Sequence, residues 1–236
     1  MTFSQQQLKS HVAHAALDEV LPLLGPDVIL GVGTGSTADL FIDALAPFKN
    51  RFGGAVASSE RSAKRLSGYG VAVLDLNDVT GLPAYVDGAD EVTEDFAMLK
   101  GGGGALTREK IVAASALRFI CIVDATKVVR TLGAFPLPVE VIPMARAYVT
   151  RQLLHIGGEK CAVRLRAGPT DLPYVTDNGN YILDVSGLVI TQPERLEQQI
   201  ESLAGVVACG LFSVRRADVL VIGAQEGIRT LRKGDA

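Results

Sequence analysis

The residues best equipped for chemistry crowd into one run, Asp87 to Lys110, which reads DGADEVTEDFAMLKGGGGALTREK. Asp87 and Asp90 flank Gly88 and Ala89, Lys100 precedes the glycine run 101–104, and Glu109 lies just beyond it. Carboxylates, an ammonium group and bare backbone amides are the parts that proton transfer on a small anionic substrate requires. Consecutive glycines lose much conformational freedom on folding, so such a run is kept where backbone must come close to something, often a ligand.

Each residue also has a plainer reading. The two aspartates can cap a turn through bonds to nearby amides, or can join Glu91, Glu94 and Asp95 as oxygen ligands of a Mg²⁺ ion. Lys100 is either a surface charge or, with the amides of Gly101, Gly102 and Gly103, a cradle for developing negative charge. Glu109 either favours a helix dipole or, in an apolar cleft, becomes a general base with a raised pKa. No GxSxG nucleophile elbow and no Cys/His metal cluster appear.

A second chemical feature lies upstream. The apolar strand VILGVG (28–33) runs into GVGTGST (31–37) and then into a helix beginning ADLFIDALAPF. A strand, a glycine-rich turn and a helix N-terminus together present amides and a positive dipole end to an anion. Thr34, Ser36 and Thr37 add hydroxyl donors around Gly35. The dinucleotide fingerprint and the P-loop both fail here, so a plain tight turn stays open beside anion binding.

The elements that must position these residues follow an α/β rhythm. Residues 5–24 carry apolar positions at helical spacing, with Lys9 among them as a solvated charge by default. AVASS (55–59), VAVLDL (71–76) and the AYV before Asp87 read as strands, RFICIVDATK (118–127) as a strand and turn ending in Lys127, with ERSAKRLSGYG (60–70) and TREKIVAASAL (107–117) as helices. Thr107 is the expected N-cap of the latter, with Glu109 in its first turn. Alternating units of this kind predict a mostly parallel, doubly wound (Rossmann-like) sheet, with ligands at the carboxyl ends of its strands. From FPLPVEVIP onward the order is β-α-β-β-α-β, a ferredoxin-like split βαβ module. ADVLVIG (217–223) is apolar enough to rejoin the first sheet. The expected domains are therefore 1–134 plus 214–236, with 135–213 inserted as an α+β lid.

Composition excludes several classes. A chain of 236 residues, 48% hydrophobic and 21% charged, is globular rather than disordered. No apolar run reaches the roughly 18 residues a membrane span needs, and residues 1–10 lack a signal-peptide layout. A net charge of −3 makes no electrostatic case for nucleic acid. Cys121, Cys161 and Cys209 lack metal-site spacing and read as free thiols in a reducing cytoplasm.

Taken in order, GTGST (33–37), DGADE (87–91), KGGGGAL (100–106) and TREK (107–110) closely resemble the type A ribose-5-phosphate isomerases. The resemblance continues through FPLPVEVIPMA (135–145), TDNGN (176–180) and GLF (210–212), and so covers nearly the whole chain. It implies an aldose–ketose isomerase of the pentose phosphate pathway that works through a cis-enediolate, without metal or organic cofactor. It implies that Glu109 accepts the proton, that Asp87 and Asp90 assist ring opening, and that Lys100 steadies the enediolate. Substrate contacts are implied for Lys9, Thr34 to Thr37, Asp87 to Asp90, Lys100 to Gly103 and Lys127. A cytoplasmic homodimer or dimer of dimers is implied as well. The segment 158–175 is longer than in the shortest members of that family. Two rivals lack this motif set: a sugar-phosphate-sensing regulatory domain, which needs no base, and a CoA transferase or aminosugar-phosphate deaminase on a related fold.

Overall fold

The computed structural model describes residues 2–169 and 172–234, so residues 170 and 171 of the long 158–175 segment lie outside the described residues. Along the chain the strands are β1 (Ile29–Val32), β2 (Gly54–Ala57), β3 (Tyr85–Asp87), β4 (Glu91–Val92), β5 (Met98–Leu99), β6 (Phe119–Asp124) and β7 (Leu137–Val141). They continue as β8 (Ala162–Leu165), β9 (Tyr181–Ser186), β10 (Val206–Cys209), β11 (Leu211–Phe212), β12 (Val219–Ala224) and β13 (Gly227–Arg232). The α-helices are α1 (Gln5–Val20), α2 (Ser36–Leu45), α3 (Glu60–Gly68), α4 (Leu106–Ser115), α5 (Arg146–Gly157) and α6 (Pro193–Glu201). The chain divides into two compact units, one of Met1–Ala89, Ile111–Val128 and Ala217–Ala236, the other of Asp90–Lys110 and Val129–Arg216.

In the first unit the strands lie in the order β13-β12-β6-β3-β1-β2. Every pairing is parallel except the β12–β13 hairpin at one edge. The chain moves outward from β1 to β2, then returns to the other side of β1 to lay down β3. At such a reversal the loops leaving the two strands diverge and open a crevice at their carboxyl ends, the usual place for a ligand in a doubly wound sheet. Here those loops are the glycine turn after β1 and the Asp-Gly-Ala segment ending β3.

Helix α1 illustrates how pattern becomes packing. Ser4 and Gln7 form a capping box at its start, and Leu8, Val12, Ala13, Ala16, Leu17 and Val20 form its buried face. Spacings of three and four place these on one side of a 3.6-residue helix. All of these but Leu8 join Leu30, Val32, Phe41, Ile42, Ile120, Ile122, Val219 and Val221 in one core cluster. At Gly223 an added Cβ would stand 2.8 Å from Val12 and 3.0 Å from the Leu8 carbonyl oxygen, so glycine is what lets α1 lie close on β12.

The second unit holds two sheets. One has the order β10-β7-β9-β8, all antiparallel, with α5 between β7 and β8 and α6 between β9 and β10. Numbered along the module this is 4-1-3-2, the expected split βαβ arrangement. Val149 and Leu153 of α5 and Ile200 of α6 pack with Val139, Val141, Leu183 and Val185 of its strands. The other sheet is the short antiparallel set β11-β5-β4.

Three expectations need correction. VAVLDL forms no strand; Val73 makes one isolated bridge to Ala55. It runs beside β2 at the sheet edge with Ala72 and Val73 exposed, and Asp75 then turns the chain by accepting from the Asn77 amide at 2.8 Å. The segment VVACGLF (206–212), which reads in the sequence as the single last strand of the β-α-β-β-α-β order, is two strands in two sheets. At Gly210 a Cβ would meet the Lys100 carbonyl oxygen at 2.3 Å, and the Gly210 amide donates to Pro138 while its carbonyl accepts from Lys100. Thr107 is not an N-cap. It is the second residue of α4, and its hydroxyl donates to Glu140 at 2.6 Å.

Candidate active site

Gly33 follows β1, and a Cβ there would fall 2.0 Å from the Asp87 carboxyl group, so only glycine lets that carboxylate lie across the turn. Asp87 is fully buried at the end of β3. Its Oδ1 accepts from the Thr34 amide at 3.0 Å and the Gly88 amide at 2.8 Å, and its Oδ2 from the Tyr85 hydroxyl at 2.5 Å. Donors at both oxygens fix the carboxylate in orientation.

Gly35 caps α2 with φ +105°, a conformation that suits glycine. Ser36 and Thr37 form the first turn of α2, where unsatisfied amides face outward. The Lys9 ammonium reaches Ser36 Oγ at 3.0 Å, which takes Lys9 out of the role of an idle surface charge. The Thr34 hydroxyl accepts from Ser59, and Ser59 is itself tied to Ser62, forming a hydroxyl chain behind the turn. Lys127 ends the 3₁₀ turn after β6, so it stands at the same carboxyl-end rim of the parallel strands as Thr34–Thr37 and Asp87–Ala89.

The second unit carries the remaining expected residues. Asp90 Oδ2 accepts from the Gly102 amide at 2.8 Å, and a Cβ on Gly102 would stand 2.8 Å from Asp90 Oδ1. Gly101 has φ +103° and Gly104 φ +82°, so the run bends twice through conformations that suit glycine. Just before it, Lys100 Nζ lies 3.1 Å from Glu109 Oε2, with only 3% and 4% of the two side chains exposed. The Lys100 ammonium also sits over the Phe212 ring, 5.5 Å from its centroid. A carboxylate held dry beside a cation, next to a turn of glycine amides, can take up a proton and can have the resulting anion steadied.

Glu91 and Asp95, considered as metal ligands, have structural duties. The Glu91 oxygens accept from the amides of Gly133 at 2.7 Å and Phe135 at 2.5 Å, and Asp95 pairs with Arg216 at 2.8 Å.

The start of helix α4 is held by polar side chains on both sides of Glu109. Thr107 is tied to Glu140, Arg108 donates to Asn178 Oδ1 and the Asp177 carbonyl at 3.0 Å each, and Lys110 pairs with Glu197 at 2.5 Å and Glu201 at 2.8 Å. Burial works against the Lys110 charge, but Cys209 and the two glutamates outweigh it and hold its pKa above the ordinary lysine value. Burial in turn pushes the Cys209 thiol up to about 12, despite the Lys110 ammonium nearby. Glu140 is fully buried and also gathers Thr176, Asn178 and Asn180 at 2.9, 3.1 and 2.9 Å. The TDNGN turn and the start of α4 therefore share one carboxylate. Neither Glu140 nor Ser59 nor Arg166, which contacts the glycine run, stood out in the sequence, because nothing local marks a partner dozens of residues away.

Sheet order and the glycine turn at its switch point define a doubly wound α/β protein of the kind that receives phosphorylated ligands in that crevice. The family described as ribose 5-phosphate isomerase A (phosphoriboisomerase A) matches residues 54–227. The chain belongs to that family. It is 60% identical over 230 residues to ribose-5-phosphate isomerase A of Bordetella petrii, a match covering 98% of this chain and 99% of that protein. The isomerase of Bordetella avium is equally similar, at 60% identity with the same coverage. Among solved structures, ribose 5 phosphate isomerase A from Neisseria gonorrhoeae superimposes with a TM-score of 0.89 at 41% identity, covering 98% of this chain and 99% of that one. A D-ribose-5-phosphate isomerase solved in complex with phospho-erythronic acid superimposes with a TM-score of 0.90 at 32% identity, covering 98% and 100%.

Proposed function

We infer that the chain interconverts D-ribose 5-phosphate and D-ribulose 5-phosphate through a cis-enediolate, with Glu109 as general base. The observation that carries this is the dry Lys100–Glu109 pair beside the glycine run. Thr34, Gly35, Ser36 and Thr37, with Lys9 and Lys127, take the phosphate through amides, hydroxyls and ammonium groups. Asp87 and Asp90 assist opening of the furanose ring, aided by the Gly88–Ala89 backbone. Glu109 then removes the C2 proton of the open aldehyde, leaving charge shared by the oxygens on C1 and C2. Lys100 and the amides of Gly101, Gly102 and Gly103 stabilise that charge. A proton passes from the oxygen on C2 to the oxygen on C1, and returning the abstracted proton to C1 completes the ketose. The substrate carbonyl acidifies the adjacent C–H, so the reading has no metal or organic cofactor.

The reading extends to a cytoplasmic location, which the three free cysteines support. It includes a homodimer or dimer of dimers, to be tested by light scattering. Residues 135–213 are treated as a domain inserted between 1–134 and 214–236, to be tested by limited proteolysis.

Glu109→Gln tests the central role. The change keeps shape and removes the base, so kcat should fall by about 10² to 10⁴, or roughly 3–5 kcal/mol of barrier. Affinity for phospho-erythronic acid should change much less. Near-full turnover in this variant would place the base elsewhere.

A further inference from the structure

We propose that Arg166 is a positioning residue that aims the amides of the glycine run at the reacting oxygens. The proposal rests on reading Gly101–Gly103 as the enediolate cradle. Arg166 Nη1 donates to the carbonyl oxygen of Gly101 at 2.9 Å and to that of Gly102 at 3.2 Å. The Tyr174 hydroxyl donates to the next carbonyl, Gly103, at 3.3 Å. Three successive carbonyls of a segment with no side chains of its own are thus held from outside.

That grip has a directional consequence. Among the described residues no peptide bond is cis, and in a trans peptide C=O and N–H point opposite ways. Drawing the Gly101 and Gly102 carbonyls toward one guanidinium turns the Gly102 and Gly103 N–H groups to the far side. The first of these is found there, donating to Asp90 Oδ2 at 2.8 Å. Asp90 is one of the carboxylates assigned to ring opening, so the Gly102 amide faces a residue assigned to the reaction.

The guanidinium is itself locked. Its Nε and Nη2 meet Asp184 Oδ2 and Oδ1 at 2.9 and 2.5 Å, a bidentate pair from β9. The Arg166 amide donates to the Ile182 carbonyl at 2.8 Å, and the Tyr174 ring lies 5.9 Å from the guanidinium carbon. A fork that grips a carboxylate with one edge and two carbonyls with another end cannot be reproduced by a single ammonium group. The structure therefore couples Asp184, Arg166 and the glycine run in one rigid line, which gives preorganised dipoles their catalytic value.

The experiment compares full-length Arg166→Lys and the milder Asp184→Asn with the unaltered chain. It measures kcat and KM for ribose 5-phosphate, affinities for phospho-erythronic acid and inorganic phosphate, and thermal unfolding. The acid is chosen because its carboxylate carries two charged oxygens, as the enediolate does, whereas inorganic phosphate probes only the anion turn. Arg166→Lys should lower kcat by about ten- to a hundredfold. It should weaken phospho-erythronic acid by a similar factor, and leave inorganic phosphate within about twofold. Asp184→Asn should show the same pattern at smaller amplitude. Wild-type kcat and acid affinity in Arg166→Lys would overturn the proposal. So would equal loss of both ligands together with a lowered melting temperature, which marks a purely structural role. If the unaltered chain binds the acid no more tightly than inorganic phosphate, the cradle reading fails and the proposal falls with it.

Discussion

Glu140 offers the sharpest stability test, because one buried carboxylate serves two segments. Four side chains donate to it: Thr107 to Oε2 at 2.6 Å, and Thr176, Asn178 and Asn180 to Oε1 at 2.9, 3.1 and 2.9 Å. Glu140→Gln can keep most of this geometry. Its carbonyl oxygen takes the three-donor side and its NH₂ faces Thr107, whose hydroxyl rotates to accept. Charge assistance is lost across four bonds, offset by the lower cost of burying a neutral group, for a net loss of about 1–2 kcal/mol. Glu140→Leu removes the acceptor altogether. Asn178 is exposed and Asn180 half-exposed, so both turn to water, but Thr107 and Thr176 are buried and bear the cost. Two stranded hydroxyls at 1–3 kcal/mol each give about 4 kcal/mol. For a chain of this size that corresponds to roughly 2–8 °C for the amide and 8–16 °C for the leucine. Thermal unfolding of both variants provides the assay. Equal destabilisation by the two changes, or none by either, would refute the idea that Glu140 works as a shared acceptor.

Other perturbations separate the remaining assignments. Lys127→Ala should mainly raise KM, because a phosphate contact binds ground and transition states alike; a collapsed kcat at unchanged KM would move Lys127 into the chemical step. Activity should survive exhaustive EDTA treatment, since the carbonyl supplies the acidity, whereas loss restored by Mg²⁺ would return the aspartates to the role of metal ligands. Burial pushes the Cys209 pKa up to about 12, so at pH 8 its thiol stays protonated and unreactive. Cys121 is buried too, and only half-buried Cys161 is within a reagent's reach. Alkylation of the native protein should stop at Cys161, with all three thiols reacting after unfolding; rapid native modification of Cys209 would contradict the described burial.

What was legible in the sequence was whatever local chemistry encodes. The glycine turn before α2, the Asp-Gly-Ala turn after β3 and the β-α-β-β-α-β order each depend on neighbours a few residues apart, and each is where the pattern predicts. VAVLDL misled because its apolar residues resemble a strand, while its place beside β2 leaves Val73 exposed and Asp75 free to turn the chain. Thr107 looked like a helix cap because capping is the local use of threonine, but a carboxylate 33 residues away takes its hydroxyl. Gly210 split an apparent strand because the crowding there comes from Lys100 and Pro138, distant in sequence. Arg166 lies 65 residues from the carbonyl it holds most closely. Such long-range partners leave no periodicity to read, so the candidate residues can be named from the sequence and their supports cannot.

The central claim, that Glu109 carries the proton between carbons, is tested most directly by hydrogen exchange at C2. Ribose 5-phosphate is incubated in D₂O with the unaltered chain and with Glu109→Gln, and the C2 and C1 hydrogens are followed by proton NMR. The unaltered chain should break the C2–H bond at a rate matching turnover. The variant, still binding phospho-erythronic acid, should break it at least about a hundredfold more slowly. Exchange at C2 by Glu109→Gln at the unaltered rate would show that another group is the base.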